Sequence, residues 1–193
     1  MAYTDWSNHL RYIPRIKELN ILEFGLGLGT PELTKRFKTV YSLEISDSDE
    51  WFNTAKDAVK DFPNWDGELI LAKSVIEKHE KYAQSNFTDE RDTQELEDLL
   101  EESKSRINYS DYEFFFVDAG VYFRGEIVNF CFQFNPQYIM IHDANGMHGY
   151  GYDLCVYMQQ GEWRANDPRY SFKIFDRVAQ IEEGTGLFTR NDT

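Results

Sequence analysis

The sequence predicts an α/β domain: a single doubly wound, mostly parallel seven-stranded sheet with an antiparallel last strand and helices on both faces. Three observations carry this prediction. Short apolar runs alternate with stretches of helical periodicity along the chain. The first apolar run opens into a glycine-rich turn and then a helix start. The tail holds two apolar runs joined too closely for a crossover helix, so they should pair antiparallel. The 193 residues suit one domain over 1–193. Residues 1–18 form a helical cap ahead of the first strand, and 77–110 a polar helical insertion.

The first strand is 21–24. A helix should follow, with Thr30 as N-cap and Pro31 at its first position, running to about Phe37. Residues 39–44 are the second strand. The second helix is 49–61, where Trp51, Phe52, Ala55, Ala58, Val59 and Phe62 recur at helical spacing. Pro63-Asn64 and Asp66-Gly67 break the chain before a third strand at 68–72. Residues 86–92 read as a loop. Residues 95–107 read as an amphipathic helix with Leu96, Leu99, Leu100 and Ile107 on one face. Its acidic start and its Lys104 and Arg106 suit the helix dipole. That acidic run is read as a solvated face. Residues 112–117 are nearly all apolar, as a strand buried on both faces must be. A helix at 122–132, a buried strand at 137–141, a glycine-rich loop at 146–151 and a short helix at 152–158 follow. The closing strands are 171–175 and 184–189. Upstream, Trp6, Leu10 and Ile13 have the spacing of a short helix.

The formal charge is −14, from 20 basic and 34 acidic residues. Such a surface repels phosphate backbones and anionic membranes, so neither a nucleic-acid nor a membrane partner is expected. A small, neutral or cationic substrate stays open. Cys131 and Cys155 lack metal-type spacing and make no disulfide framework. The apolar runs are too short to span a bilayer, and the opening residues lack a basic region followed by an apolar stretch. A cytoplasmic location is the expectation.

Gly25, Gly27 and Gly29 alternate within five residues between a strand and a helix start. Glycine lets the backbone turn sharply and come close to a ligand. Glu44 falls 19 residues after Gly25. That is the usual place of a carboxylate accepting hydrogen bonds from both ribose hydroxyls. A tight turn without a ligand is the alternative, and the alternating glycines plus this acid weigh against it. A dinucleotide fingerprint would need glycine at position 30, where Thr30 stands. Glu32 falls in the first helical turn, where a pyrophosphate would bind and be repelled. The acids Glu23 and Glu32 better suit S-adenosylmethionine, which has a positive sulfonium and no phosphate.

The run Ile21-Leu22-Glu23-Phe24-Gly25-Leu26-Gly27-Leu28-Gly29 resembles the first motif of class I methyltransferases, Glu/Asp-x-Gly-x-Gly-x-Gly. Val40-Tyr41-Ser42-Leu43-Glu44 resembles their second motif. Gly29-Thr30-Pro31 and Trp6-Ser7-Asn8-His9 are similar to bacterial and phage members that lack a well-defined substrate. The resemblance covers nearly the whole chain, because the closing strand pair matches the family's antiparallel last strand. It implies a Rossmann-like fold with S-adenosylmethionine held at Glu23, Gly25, Gly27, Gly29, Glu44 and Asp118. It also implies that the loop after the third strand, here Lys73-Ser74-Val75, brackets adenine through Ser74 and Val75. Many members carry an acid where Ser74 stands.

In an open α/β sheet, ligands sit beyond the carboxyl ends of the strands, where Glu44, Asp118 and Asp143 cluster. Methyl transfer is an in-line displacement in which the enzyme aligns donor and acceptor and handles the acceptor's proton. Methyltransferases of nucleic-acid bases resemble Asp/Asn-Pro-Pro-Tyr after the fourth strand, whereas this chain has Asp118-Ala119-Gly120-Val121-Tyr122. Metal-dependent O-methyltransferases similar to catechol enzymes place an Asp after the fourth strand and Asp-Asn after the fifth. Asp118 and Asp143 match, while Ala144 stands at the Asn position with Asn145 one residue later. That likeness implies Asp118, Asp143 and Asn145 as ligands of a divalent cation such as magnesium. A metal-free version uses His142, Asp143 or His148 as general base. His142 reads equally well as a satisfied core histidine, and His148 lies in a glycine-rich loop. His9 and His79 are expected on the surface. Tyr122, Tyr150, Tyr152 and Trp163 are candidate pocket aromatics that core packing explains as well.

The reading is an S-adenosylmethionine-dependent methyltransferase acting on a small molecule, with O-methylation as the expected reaction. Asp118 should lie near the methyl group. One alternative is a non-enzymatic module that keeps the fold and the ligand, or binds a partner. A nicotinamide-dependent oxidoreductase is a further alternative, opposed by Thr30, Glu32 and the lack of a substrate domain.

Overall fold

The computed structural model describes residues 9–120, 123–144, 149–175 and 184–193. Each of the seven predicted strands forms, with ends shifted by up to three residues. They are β1 (Asn20–Phe24), β2 (Thr39–Ser46), β3 (Trp65–Leu71), β4 (Phe114–Val117), β5 (Tyr138–Ile141), β8 (Tyr170–Phe175) and β9 (Thr185–Arg190). Two further strands, β6 (Val156–Gln159) and β7 (Glu162–Ala165), make a separate hairpin. The helices are α1 (Thr30–Arg36), α2 (Glu50–Asp57), α3 (Lys73–Gln84), α4 (Gln94–Ser103) and α5 (Arg124–Phe132).

The main sheet has the order β3-β2-β1-β4-β5-β9-β8. The pairs from β3 through β5 are parallel, and β9 is antiparallel to both β5 and β8. The chain winds from β1 toward β3 in one direction, then returns past β1 to continue through β4 and β5 in the other. The strand order therefore reverses between β1 and β4, which opens a crevice beyond their carboxyl ends.

Strand pleating assigns the two faces. Leu22, Phe24, Phe115, Val117, Ile139 and Ile141 pack with Val75, Leu96, Leu100, Ile127 and Val128 of α3, α4 and α5. The alternate residues Ile21, Val40, Phe114, Phe116 and Met140 pack with Leu33 and Phe37 at the end of α1 and with Leu10, Ile13 and Leu19 upstream. A third cluster joins Leu26 to Phe52, Ala55 and Val59 of and just beyond α2. The central strands β4 and β5 are buried throughout, as continuous apolar runs require.

Four local expectations give way. Gly29, not Thr30, takes the N-cap position of α1, and Thr30 is its first helical residue. Residues 73–75 begin helix α3 instead of forming a loop, because Val75, His79 and Tyr82 recur at helical spacing and bury one face. The helix expected at 152–158 is one 3₁₀ turn, Tyr152–Leu154, followed by the β6–β7 hairpin. Gln160 and Gly161, at φ 53° and 82°, supply the two left-handed residues of a tight hairpin turn. Ahead of β1, two 3₁₀ turns at Leu10–Tyr12 and Ile16–Glu18 stand where a helix was expected. Trp6 and Tyr122 lie outside the described residues.

The loop after β5 is fixed to the start of α5 by a close backbone approach. Gly125 N–H donates to the Tyr150 carbonyl at 2.9 Å. A Cβ on Gly125 would stand 1.9 Å from the Gly151 carbonyl oxygen. Gly125→Ala must therefore push the two segments apart. We expect a loss of about 1–3 kcal/mol in stability, read from urea unfolding midpoints at unchanged m-value. A variant as stable as the parent would refute this packing.

Candidate functional site

The glycine loop leaves β1 at Gly25, whose φ of +106° lies where side chains are strained. A Cβ there would also meet the Asp118 carbonyl oxygen at 2.5 Å. A Cβ on Gly27, by contrast, would come no closer than 4.0 Å to a neighbouring atom, the Gly29 nitrogen. The loop is held from beneath by Glu23. Thr30 Oγ donates to both Glu23 oxygens at 2.9 and 3.1 Å, and Ser42 Oγ donates to Oε2 at 2.7 Å. Gly27 N–H in turn donates to Thr30 Oγ at 3.1 Å, and Trp65 Nε1 to Ser42 Oγ at 3.0 Å. Glu44 steadies the next residue by accepting from Leu26 N–H at 2.6 Å, and Trp51 Nε1 donates to the Leu26 carbonyl at 2.8 Å.

A cavity of about 580 Å³ lies over this loop at the switch point, a size typical of small-molecule sites. Its walls come from the loop, from the end of β2 (Glu44, Ile45, Ser46, Asp47), from Trp51, and from Ile76 and His79 of α3. Asp118 and Gly120 after β4, and His142 and Asp143 after β5, close the far end. Five carboxyl-bearing residues line it, Glu23, Glu44, Asp47, Asp118 and Asp143, and no Lys or Arg is among its described lining. Burial raises the pKa of Glu23 to about 8, against the lowering effect of its Ser42 and Thr30 hydrogen bonds. Burial likewise raises Glu44 to about 7, opposed by the Leu26 amide and assisted by Asp118.

At the far end, His142 Nδ1 lies 3.0 Å from Asp118 Oδ1 and 3.5 Å from Asp143 Oδ1. Burial disfavours the imidazolium, but the Asp118 hydrogen bond and the two carboxylates outweigh it, so the net pKa of His142 is raised. Asp143 is held at φ 55°, in the left-handed region. Arg124, at the start of α5, reaches both acids: Nη1 is 3.2 Å from Asp118 Oδ1 and 3.0 Å from Asp143 Oδ2. Asp118, His142 and Asp143 do bring ligand-type atoms within 4.8 Å of one another. A divalent ion among them would nonetheless stand beside a fixed guanidinium and compete for the same oxygens. The donor set therefore does not fit a resident metal.

The cavity gathers Glu23, Gly25, Gly27, Gly29, Glu44, Asp118, His142 and Asp143 from the residues singled out in the sequence. Ser74 and Val75 do not line it. Ser74 Oγ donates to Glu95, and Val75 is packed in the core, because this segment is the first turn of α3. Asn145 and His148 lie outside the described residues. His79 is not on the surface but buried in the cavity wall, where desolvation lowers its pKa. His9 is buried too, stacked on Phe175 at 4.7 Å between ring centroids. Glu32 points away from the cavity to Lys35, 2.6 Å distant, and Arg36, so the charge that opposes a pyrophosphate comes from the cavity acids instead. Tyr150 and Tyr152 pack around Arg124 and His142 and do not line the cavity, nor does Trp163. Sequence reasoning missed Ile45, Ile76, His79 and Arg124. An arginine opening a helix whose later residues are mostly apolar was the available signal for Arg124.

No protein-family model and no curated protein sequence matches the chain. Solved structures do. An O-methyltransferase from Bacillus cereus in complex with SAH superposes with a TM-score of 0.63 at 15% identity, over 97% of this chain and 81% of that one. The O-methyltransferase TomG from Streptomyces achromogenes, in complex with SAM, gives 0.54 at 11% identity over 95% and 76%. An rRNA methylase from Streptococcus thermophilus gives 0.51 at 13% identity over 90% and 87%. The chain thus has the Rossmann-like fold of class I S-adenosylmethionine-dependent methyltransferases. No described helix is long and apolar enough to cross a membrane.

The raised carboxyls make stability depend on pH. Folded Glu23 keeps its proton above the ordinary 4.5, so between about pH 4.5 and 8 the folded state binds more protons than the unfolded one. Stability must then fall as pH rises through that window, by at most about 1.4 kcal/mol per pH unit for each such group. We expect the melting temperature of the ligand-free chain to drop from pH 5 to pH 8, and Glu23→Gln, neutral throughout, to drop less. An equally steep fall in the variant would show that Glu23 ionises in its ordinary range.

Proposed function

We propose that this chain is an S-adenosylmethionine-dependent methyltransferase that transfers the methyl group to an oxygen of a small, neutral or cationic acceptor. The observation that carries the reading is the cavity at the switch point, which joins a glycine loop to five acids and no lysine or arginine among its described lining. A dinucleotide would bring two phosphates beside Glu44, Asp47 and the Asp118–Asp143 pair, and among the described residues only that pair has a counter-charge, in Arg124, so the balance of the lining disfavours added negative charge. A sulfonium, an ammonium and two ribose hydroxyls are matched by it. RNA methylases share the fold, so the fold alone does not choose the acceptor; the acidic lining and the −14 charge favour a small molecule over a polyanion.

In this reading the backbone of Gly25, Gly27 and Gly29 receives the amino-acid end of the cofactor, with no atom nearer than 4.0 Å to a Cβ position on Gly27 to hinder close approach. Glu44 accepts from the ribose hydroxyls through the oxygen not taken by Leu26. Ile45 and Ile76 offer apolar walls to adenine, with His79 beside them. Asp118 stands on the methyl side. The acceptor oxygen attacks the methyl carbon in line as the carbon–sulfur bond breaks, and the thioether product leaves with the bonding pair. The acceptor's proton passes to His142, whose Nδ1 donates to Asp118 and whose Nε2 is then the basic atom. Burial and the neighbouring carboxylates set that basicity.

Calorimetric titration with S-adenosylhomocysteine and, separately, NAD tests the cofactor. Saturable heat with NAD and none with S-adenosylhomocysteine would sink the proposal. Glu44→Ala should weaken S-adenosylhomocysteine binding by roughly ten- to a hundredfold, the loss of one charge-assisted hydrogen bond worth about 1.5–3 kcal/mol. Unchanged affinity would remove Glu44 from the site.

A further inference from the structure

We infer that Arg124 is the resident cation of the acceptor end, holding the place between Asp118 and Asp143 that a divalent metal would otherwise take. The inference concerns the same site and rests on the methyltransferase reading only for the word acceptor; the geometry stands apart from it.

Two like charges as close as Asp118 and Asp143 need a positive partner. Arg124 supplies one that cannot be titrated away. Its side chain is 8% exposed and is held on every side. Nε donates to the Ala119 carbonyl at 2.7 Å, Nη1 donates to Asp143 Oδ2 at 3.0 Å, and the guanidinium lies 4.3 Å from the centre of the Tyr150 ring. Burial works against its charge, but Tyr152, Asp118 and Asp143 hold it on.

These contacts come from two separate loops, Ala119 after β4 and Asp143 and Tyr150 after β5. One planar group thus fixes the spacing of the two acids and, through Asp118, the orientation of His142. A metal would do the same by coordination, but it would need the carboxylate oxygens that the guanidinium already uses. A removable ion is thereby replaced by a covalently attached charge. Arg124 is a positioning residue: it sets where Asp118 and Asp143 stand and does not itself touch the transferred methyl group.

Manganese binding to the full chain, followed by the EPR signal of free Mn²⁺, tests this. The unmodified chain should take up no Mn²⁺ saturably below the millimolar range. Arg124→Met, which empties the position but keeps its bulk, should gain a site at least roughly tenfold tighter, lost again when Asp143→Asn is added. Arg124→Lys keeps the charge and should gain none. Saturable uptake by the unmodified chain that Asp118→Asn or Asp143→Asn abolishes would overturn the inference. So would a folded Arg124→Met chain with no added affinity. Should Arg124→Met fail to fold, the titration of the unmodified chain decides alone. S-adenosylhomocysteine binding is measured on the same samples. Its absence beside an unchanged manganese result would defeat the cofactor reading and leave the role of Arg124 intact.

Discussion

A carboxyl group buried inside an α/β sheet must find hydrogen-bond partners or give up its charge, and Glu23 does something of both. Its partners come from β2 through Ser42 and from α1 through Thr30. Beyond them the chain of bonds reaches Trp65 on β3 and the amide of Gly27. One acid thereby ties three parallel strands, the first helix and the glycine loop into a single polar assembly in otherwise apolar surroundings. The loop's shape over the cavity depends on it. So does the setting of α1, because Thr30 is spent on Glu23 and leaves capping to Gly29.

The cavity shows a second use of the same physics. Its acids are placed at different depths and with different partners, so they do different things. Glu23 is fully enclosed and structural. Glu44 is divided between the Leu26 amide and the cavity. Asp118 and Asp143 are more open and share Arg124 and His142. Only the last pair needs a permanent counter-charge, and the helix that follows β4 delivers it at its first residue.

Much of this was legible in the sequence. Apolar runs at strand length and the closing strand pair specified the sheet, because burial on both faces leaves little choice of residue at Phe114–Val117 or Tyr138–Ile141. The glycine loop and Glu44 were legible because backbone conformation and hydrogen bonding restrict what can stand there. Helix α3 was not, since its buried face is built from Val75, His79 and Tyr82, two of which are polar by type. The hairpin at 156–165 was hidden because its turn uses Gln160 in a left-handed conformation that glycine or asparagine usually marks. Arg124 was invisible as a site residue because its partners are 6 and 19 residues away and meet it only after the sheet has formed. Ser74 was misplaced for the opposite reason: the resemblance supplied a loop where this chain begins a helix.

Trp51 turns the glycine loop into something that can be watched. Its ring lines the cavity mouth, is 45% exposed, and donates its only N–H to the Leu26 carbonyl in the middle of the loop. Indole emission depends on that hydrogen bond and on the water around the ring. A ligand that dries the mouth or shifts the loop changes both at once. Trp51, one of four tryptophans, thus makes the state of the loop readable in the chain's own emission, as the part that a Trp51→Phe variant loses.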